Sequence, residues 1–418
     1  MARIPIEPAA AVAPSAAPLE PVAVRLARYM RPGVLSLPSL PPLSLYVHIP
    51  WCLKKCPYCD FNSHALQAKA DAPPEARYVD ALIADLEAAL PFVWGRRVHT
   101  VFLGGGTPSL FSPESIDRLV TAIRARVPLE PGCEITMEAN PGTFERDRFR
   151  AFADAGITRL SIGVQSFDDA SLVALGRVHD AAQAHAAIEE ARRAFATWNI
   201  DLMYALPGQS IEAFDADLAA ALALAPPHLS VYHLTIEPNT LFARFPPAVP
   251  DADLAADMLD RIVARTAGAG LERYEVSAFA APGHRAQHNL NYWAFGDYLG
   301  IGAGAHGKLS FAHRIVRQVR WRDPAAYLAG AEAGAAVASE VEVARGDIAF
   351  EYTLNALRLR DGFALADFSA RTGLAITAID KPLAEAERRG LVERDFEHVR
   401  PTPLGFDFLN DLQQLFLR

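Results

Sequence analysis

From residue 44 onward the chain repeats one unit six times: a short β-branched and apolar run, then an Ala-rich helical stretch carrying Glu and Arg. The strand candidates "SLYVHI", "HTVFLGG", "EITMEAN", "RLSIGVQS", "NIDLMYALP" and "HLSVYHLT" begin near residues 44, 99, 134, 159, 199 and 228. Helical patterns fall between them, such as "EARYVDALIADLEAAL" from residue 75 and "AAQAHAAIEEARRAFA" from residue 181. Strands separated by helices pair in parallel through crossovers, so the expected fold class is α/β with a parallel sheet. The pattern does not say whether the sheet closes, but six repeats are too few for the usual eight-stranded barrel.

The unusual residues gather at the carboxyl ends of these strands. A cysteine-rich stretch follows the first, "GGGTPS" (Gly104 to Ser109) ends the second, and Glu138 and Asn140 end the third. Gln165 ends the fourth and "LPGQ" (Leu206 to Gln209) ends the fifth. That edge of a parallel sheet is where ligands bind, so one composite site built by several strand ends is expected.

The length of 418 residues allows a barrel-sized domain and a smaller one. Residues 1–42, rich in Ala and Pro with Glu7 and Glu20 among the apolar positions, read as a disordered or loosely attached lead-in rather than a secretory signal. The repeating units occupy 43–270. Residues 271–346 form an extension that includes the loop "HNLNYW" and further strands through "GKLSFAHRIVRQVRW". Residues 347–418 combine helices with the hairpin-like "RGLVERDFEHVRPTPLG" and a last helix, a small α+β, winged-helix-like unit. No run approaches the roughly 18 apolar residues of a membrane span, so an integral membrane protein is not expected. A net charge of -9 argues against a nucleic-acid partner, and the tail mixes acids among its arginines where a DNA reader would present a basic face.

Three of the four cysteines, Cys52, Cys56 and Cys59, stand within eight residues in "HIPWCLKKCPYCDFNSH". This is poor material for a disulfide framework and suits metal ligation in a reducing compartment, hence a cytoplasmic location. Structural zinc wants four ligands, often in two pairs, and no second pair exists. A short loop can instead wrap three thiolates around an iron-sulfur cluster, leaving one iron open to an exchangeable small molecule. Cys133 begins the third strand, at the opposite end, and is not expected to join them.

With its Cys-x3-Cys-x2-Cys spacing and Tyr58 before the third cysteine, this loop resembles that of radical S-adenosylmethionine (radical SAM) enzymes. The resemblance implies a 4Fe-4S cluster, S-adenosylmethionine on its open iron, and a partial (β/α)6 radical SAM barrel. Closer similarity runs from about Leu43 to the C-terminus, to the oxygen-independent coproporphyrinogen III oxidase group and, within it, to HemW-type heme chaperones. Carried over by position, Tyr46 and Tyr58 would lie near S-adenosylmethionine, Gly105, Gly106 and Thr107 would line its amino group, and Glu138 would hold the nucleoside. Gln165, Arg177 and Asp201 match further ligand-contacting positions. The residues alone also allow Glu138 and Asp201 to cap or pair within the barrel, and Arg177 to be a surface helix charge.

Two positions bear on the choice of function. The decarboxylating oxidases carry a further cysteine two residues after the triplet, where this chain has Phe61. "HNLNYW" (His288 to Trp293) resembles the His-Asn-x-x-Tyr-Trp signature of the HemW-type chaperones. A neutral imidazole can ligate heme iron and aromatics suit its macrocycle, although a loop histidine beside Asn also reads as a structural hydrogen-bonding residue. The resemblance thus implies a heme chaperone that binds heme as a third cofactor, serves heme-accepting proteins and draws on a cytoplasmic or membrane-associated electron donor. The alternative is oxidative decarboxylation of coproporphyrinogen III to protoporphyrinogen IX. Among other histidines, His48 is expected to be held in the barrel, while His64, His233 and His306 are candidates to line the site. "GIGAGAHG" (Gly300 to Gly307) lacks the setting of a dinucleotide fingerprint and reads as close backbone packing.

Overall fold

The computed structural model describes residues 20–66, 72–142 and 148–417. The six expected strands form: β1 (Leu43–Ile49), β2 (Val98–Gly105), β3 (Leu129–Ala139), β4 (Arg159–Gln165), β5 (Thr197–Tyr204) and β6 (His228–His233). They pair in parallel in chain order. Two short strands, β7 (Glu272–Arg273) and β8 (Ala278–Ala280), add antiparallel at the β6 side. At the other side β9 (Asp297–Ile301) pairs in parallel with β1 and starts a meander through β10 (His306–Phe311), β11 (Arg314–Arg320) and β12 (Val337–Glu342). The order β12-β11-β10-β9-β1-β2-β3-β4-β5-β6-β8-β7 is linear, so this sheet is an open, partial barrel.

Each barrel strand alternates. Leu43, Leu45, Val47 and Ile49 of β1, with Val101, Leu103, Ile135, Met137, Leu160, Ile162, Ile200, Leu202, Leu229 and Val231 of the following strands, share one apolar core with the helices. The intervening residues turn inward and are largely polar: Thr136, Glu138, Ser161, Asn199, Asp201, His228 and Ser230 line a common cavity. Helix starts are set locally. Asp180 and Gln183 form a capping box for Ala181–Ala194, and Ser112 and Asp251 cap the helices Pro113–Arg126 and Ala252–Gly268.

Four expectations change. "HNLNYW" is helical, within Gln287–Trp293, because Asn291 is anchored beneath it by donating to Ser44 Oγ at 2.8 Å and to the Asp297 carbonyl at 3.0 Å. Asp297–Ile301, between that stretch and the expected strands from "GKLSF", is itself a strand, and its partner β1 lies some 250 residues away. The last helix divides into Pro403–Asp407 and Leu409–Gln414. Residues 1–19 of the expected lead-in lie outside the described residues, but the part from Glu20 is attached. Its helix Val22–Tyr29 buries Arg25 against Glu340, while Leu35 and Leu37 enter the core of the C-terminal unit. That unit has the expected hairpin, Val392–Arg394 against His398–Pro401, packed with helices.

Close backbone packing is what the "GIGAGAHG" glycines provide. Gly302, at φ +105°, would place a Cβ 2.3 Å from the His48 carbonyl oxygen, and Gly304, at φ +80°, one 2.3 Å from Asn62 Nδ2. Buried Asp85 secures the same turn. It accepts from Arg320 Nη2 at 3.1 Å, Tyr327 Oη at 3.1 Å and the Gly302 amide at 3.2 Å. Asp85→Ala would strand the Arg320 guanidinium without a counter-charge, so unfolding free energy in denaturant titration is expected to fall by about 3–5 kcal/mol. Asp85→Asn, which keeps the shape, is expected to lose less.

Candidate functional site

The cysteine loop leaves β1 and is closed at its base by a short parallel ladder, Trp51–Cys52 beside His64–Ala65. Its foot rests on the end of β2. The Gly106 amide donates to the Ile49 carbonyl and the Thr107 amide to the Trp51 carbonyl, both at 2.8 Å. A Cβ at Gly106 would lie 2.6 Å from the Trp51 oxygen, and one at Gly105, φ +111°, would lie 2.4 Å from the His48 ring. The glycine run is therefore required by the protein's own backbone and by His48.

His48, expected to be held in the barrel, is buried at the end of β1 behind the loop. Its Nδ1 meets Tyr46 Oη at 2.7 Å and its Nε2 meets the Asn62 carbonyl at 3.0 Å, while burial pushes its pKa down to about 4. A neutral ring with Nε2 donating to that carbonyl accepts the Tyr46 hydroxyl proton at Nδ1. Tyr46 thereby braces the loop from below and does not line the cavity.

All three cysteines do line that cavity, of about 520 Å³, together with Tyr58, Phe61, Gly105, Gly106, Thr107, Glu138, Gln165, Arg177, Asp201 and His288. Arg177 is no surface charge. Its Nη1 points to Cys56 Sγ at 3.6 Å, and its Nη2 donates to Asn140 Oδ1 at 2.6 Å and to the Gly163 carbonyl at 2.8 Å. Asn140 Nδ2 donates to Thr107 Oγ1 at 2.9 Å, and Thr107 Oγ1 to Cys52 Sγ at 3.4 Å. A polar arc thus runs from one thiol through Thr107, Asn140 and Arg177 to another. Asn140 was noted at its strand end but not assigned to the site; its position two residues beyond Glu138 was the available signal. Gln165 ends β4 at φ 70°, beyond a register shift in the pairing with β5, a strained backbone of the kind that re-aims a side chain.

Three thiols in one pinned loop, facing one cavity with hydrogen-bond donors directed at two of the sulfurs, are a donor set that fits thiolate ligation of an iron-sulfur cluster. Cys133 does not line the cavity. Of the candidate histidines His233 lines it, whereas His64 and His306 do not.

Deeper in the barrel the polar groups interlock. Asp201 accepts from Ser161 Oγ at 2.9 Å and Asn199 Nδ2 at 2.7 Å. His228 meets Asn199 Oδ1 at 2.6 Å and Tyr274 Oη at 2.9 Å. His288, 7% exposed, stacks on Phe102 with centroids 4.4 Å apart and planes 4° from parallel. Its Nδ1 lies 3.1 Å from Glu134 Oε1. Burial raises the Glu134 carboxyl, but hydrogen bonds and charge from His288, with Arg159, outweigh it and hold the group below its ordinary range. A carboxylate there engages the Nδ1 side of the ring, so that Nε2 is the other nitrogen of a residue on the cavity wall. Neither Glu134 nor Arg159 was anticipated, because in sequence they look like the first charged residues of two strands.

Glu138 accepts from the Gly105 amide at 3.0 Å. Burial, with the nearby Asp201 charge, pushes its pKa from the ordinary 4.5 to about 7. A raised pKa favours the folded state when the group is protonated. Its stabilisation is complete below about pH 4.5 and is lost as pH rises through 7, on the order of 3 kcal/mol in all. Glu138→Gln is therefore expected to match the parent in denaturant melts at pH 5 and to exceed it at pH 8; equal pH dependence in both proteins would refute the assignment.

The chain is similar to known proteins. Residues 46–221 match the family model of the radical SAM superfamily, and residues 343–408 that of the HemN C-terminal domain. The chain is 47% identical over 381 residues to the heme chaperone HemW of Escherichia coli K12, spanning 91% of this chain and 99% of that protein. It is 45% identical to heme chaperone HemW of Haemophilus influenzae, with the same two coverages. A mouse mitochondrial protein, radical S-adenosyl methionine domain-containing protein 1, is 41% identical across 69% of this chain and 67% of its own. Among solved structures, E. coli coproporphyrinogen III oxidase HemN superposes with a TM-score of 0.77 at 24% identity, covering 94% of this chain and 98% of that one; this establishes the shared fold.

Proposed function

The chain belongs to the radical SAM superfamily and, within it, to the HemW heme chaperone family, and from that membership we propose that it binds heme and delivers it to heme-accepting proteins. The observation that carries the proposal is His288, which lines the same cavity as the three cysteines and is held from behind by Glu134. An imidazole held at Nδ1 by a carboxylate is oriented, the arrangement that favours ligation of a metal through Nε2. Phe102 fixes the ring plane from one side, and Tyr292 from the same helix meets it edge-on at 6.4 Å.

In this reading Cys52, Cys56 and Cys59 hold a 4Fe-4S cluster. When bound, cluster and S-adenosylmethionine supply an open iron and a cleavable sulfonium, serving heme handling rather than porphyrin turnover. Tyr58, Gly105, Gly106, Thr107, Glu138, Gln165, Arg177 and Asp201 form the pocket for S-adenosylmethionine, while Tyr46 acts one step back through His48. The Glu138 carboxyl suits hydroxyl or amine donors of a nucleoside, and Arg177 keeps positive charge beside the thiolates. A cytoplasmic or membrane-associated electron donor would reduce the cluster, and a cytoplasmic location suits free thiols. Among the described residues no helix is long and apolar enough to cross a membrane.

The rival activity, oxidative decarboxylation of coproporphyrinogen III, draws support from the fold shared with HemN. Against it, Phe61 stands at the cavity mouth where the decarboxylating group has a further cysteine.

With the cluster reconstituted anaerobically, Soret titration is expected to show stoichiometric heme uptake. Glu134→Gln should weaken it by about tenfold, and His288→Ala by at least as much. Sustained protoporphyrinogen formation by the same preparation would overturn the chaperone reading, as would heme affinity indifferent to both substitutions.

A further inference from the structure

The barrel floor holds a cation that the reading above leaves without a task. Arg159 opens β4 and is 2% exposed, yet it lies on the cavity lining. Its Nη1 donates to the His284 carbonyl at 3.0 Å and reaches Glu134 Oε2 at 3.3 Å. Its Nη2 is buried with no hydrogen-bond partner. A guanidinium N–H removed from water and left unmade costs free energy, and more so for a charged group, so such a donor marks a place where an acceptor belongs.

The surroundings say what kind of acceptor. The neighbouring side chains are neutral or already committed: His228 uses both ring nitrogens, on Asn199 and Tyr274, and burial holds its pKa far down. Glu134 is shared, its Oε1 on His288 and its Oε2 on Arg159. That sharing offsets part of the Arg159 charge and also locks the guanidinium beside the imidazole. His288 and Arg159 thus line one cavity and are tied together through Glu134, so a ligand held there at the imidazole has a guanidinium beside it, and an anionic oxygen is the acceptor that best matches that charge.

We propose that Arg159 is a carboxylate-binding residue that receives one acidic side chain of the bound tetrapyrrole while His288 faces its metal, so that the floor selects porphyrins carrying free carboxylates. The inference rests on the heme reading above and adds to it a determinant of ligand choice. A guanidinium fork suits a carboxylate where a lysine would supply only a point charge. A second source of the same chemistry is the carboxylate of S-adenosylmethionine, and the test separates the two.

The cluster-loaded full-length protein is titrated with hemin and with hemin dimethyl ester, whose carboxylates are masked, following the Soret band; S-adenosylmethionine affinity is measured in parallel by calorimetry. The parent is expected to prefer hemin by about tenfold or more, and Arg159→Gln to lose most of that preference while keeping S-adenosylmethionine affinity. His288→Ala should weaken both porphyrins alike and preserve the preference. Should Arg159→Gln not fold, Arg159→Lys keeps the charge beside Glu134 and is expected to narrow the gap. Equal binding of the two porphyrins by the parent would overturn the proposal and leave the heme reading intact. A preference that survives in the folded Arg159 variant, or a loss confined to S-adenosylmethionine, would also overturn it. A parent that takes up neither porphyrin would overturn the heme reading and this inference with it.

Discussion

At the end of β2 the backbone passes so close to its neighbours that no side chain fits. A Cβ on Gly105 would run into the His48 ring, and one on Gly106 into the carbonyls of Ile49 and Trp51. This contact lets the amides of Gly106 and Thr107 close the foot of the cysteine loop, and so determines where the three thiols stand relative to the barrel. Tyr46, His48 and Asn62 brace it from one side and Gly302 and Gly304 from another, with Asp85 tying that second turn to Arg320 and Tyr327. A short loop carrying three thiols has little rigidity of its own, so its rigidity comes from this backbone packing.

Strand alternation explains the rest of the chamber. Parallel strands covered on both faces usually read as continuous apolar runs. Here β1 reads Leu-Ser-Leu-Tyr-Val-His-Ile, and β3 places Glu134, Thr136 and Glu138 on the inner face while Ile135, Met137 and Ala139 pack outward. Burying so many polar groups is costly unless each finds a partner. Most do, through networks such as Ser161–Asn199–Asp201–His228. Among the residues that line the cavity, Arg159 and Arg177 each keep one buried nitrogen, Nη2 and Nε, without a hydrogen-bond partner in the protein.

Much of this architecture was legible because it is local. The βα rhythm placed all six strands, and the glycines of "GIGAGAHG" were read as close packing. What escaped depended on distant partners. Asp297–Ile301 becomes a strand only because β1 offers it an edge, and "HNLNYW" becomes a helix because Asn291 reaches Ser44 and the Asp297 carbonyl. The residues after Glu20 looked detachable by composition, yet Arg25, Leu35 and Leu37 find an acid and two apolar niches that no local pattern foretells. Tyr46 is hydrogen-bonded to His48, a contact between neighbours on one strand that the sequence pattern did not announce.

The sequence by itself determined that Cys52, Cys56 and Cys59 stand together, since three thiols within eight residues are kept close by the chain whatever the remainder does. It also determined the parallel α/β class, because side-chain periodicity is imposed by the backbone. Only the tertiary structure decided what the histidine of "HNLNYW" touches. His288 and Glu134 are 154 residues apart, and Glu134 and Arg159 are 25 apart on different strands. Their meeting follows from sheet register and from where one helix docks, and those are set by packing over the whole barrel. The same imidazole is a structural side chain or a potential metal ligand according to which of its nitrogens the fold leaves free.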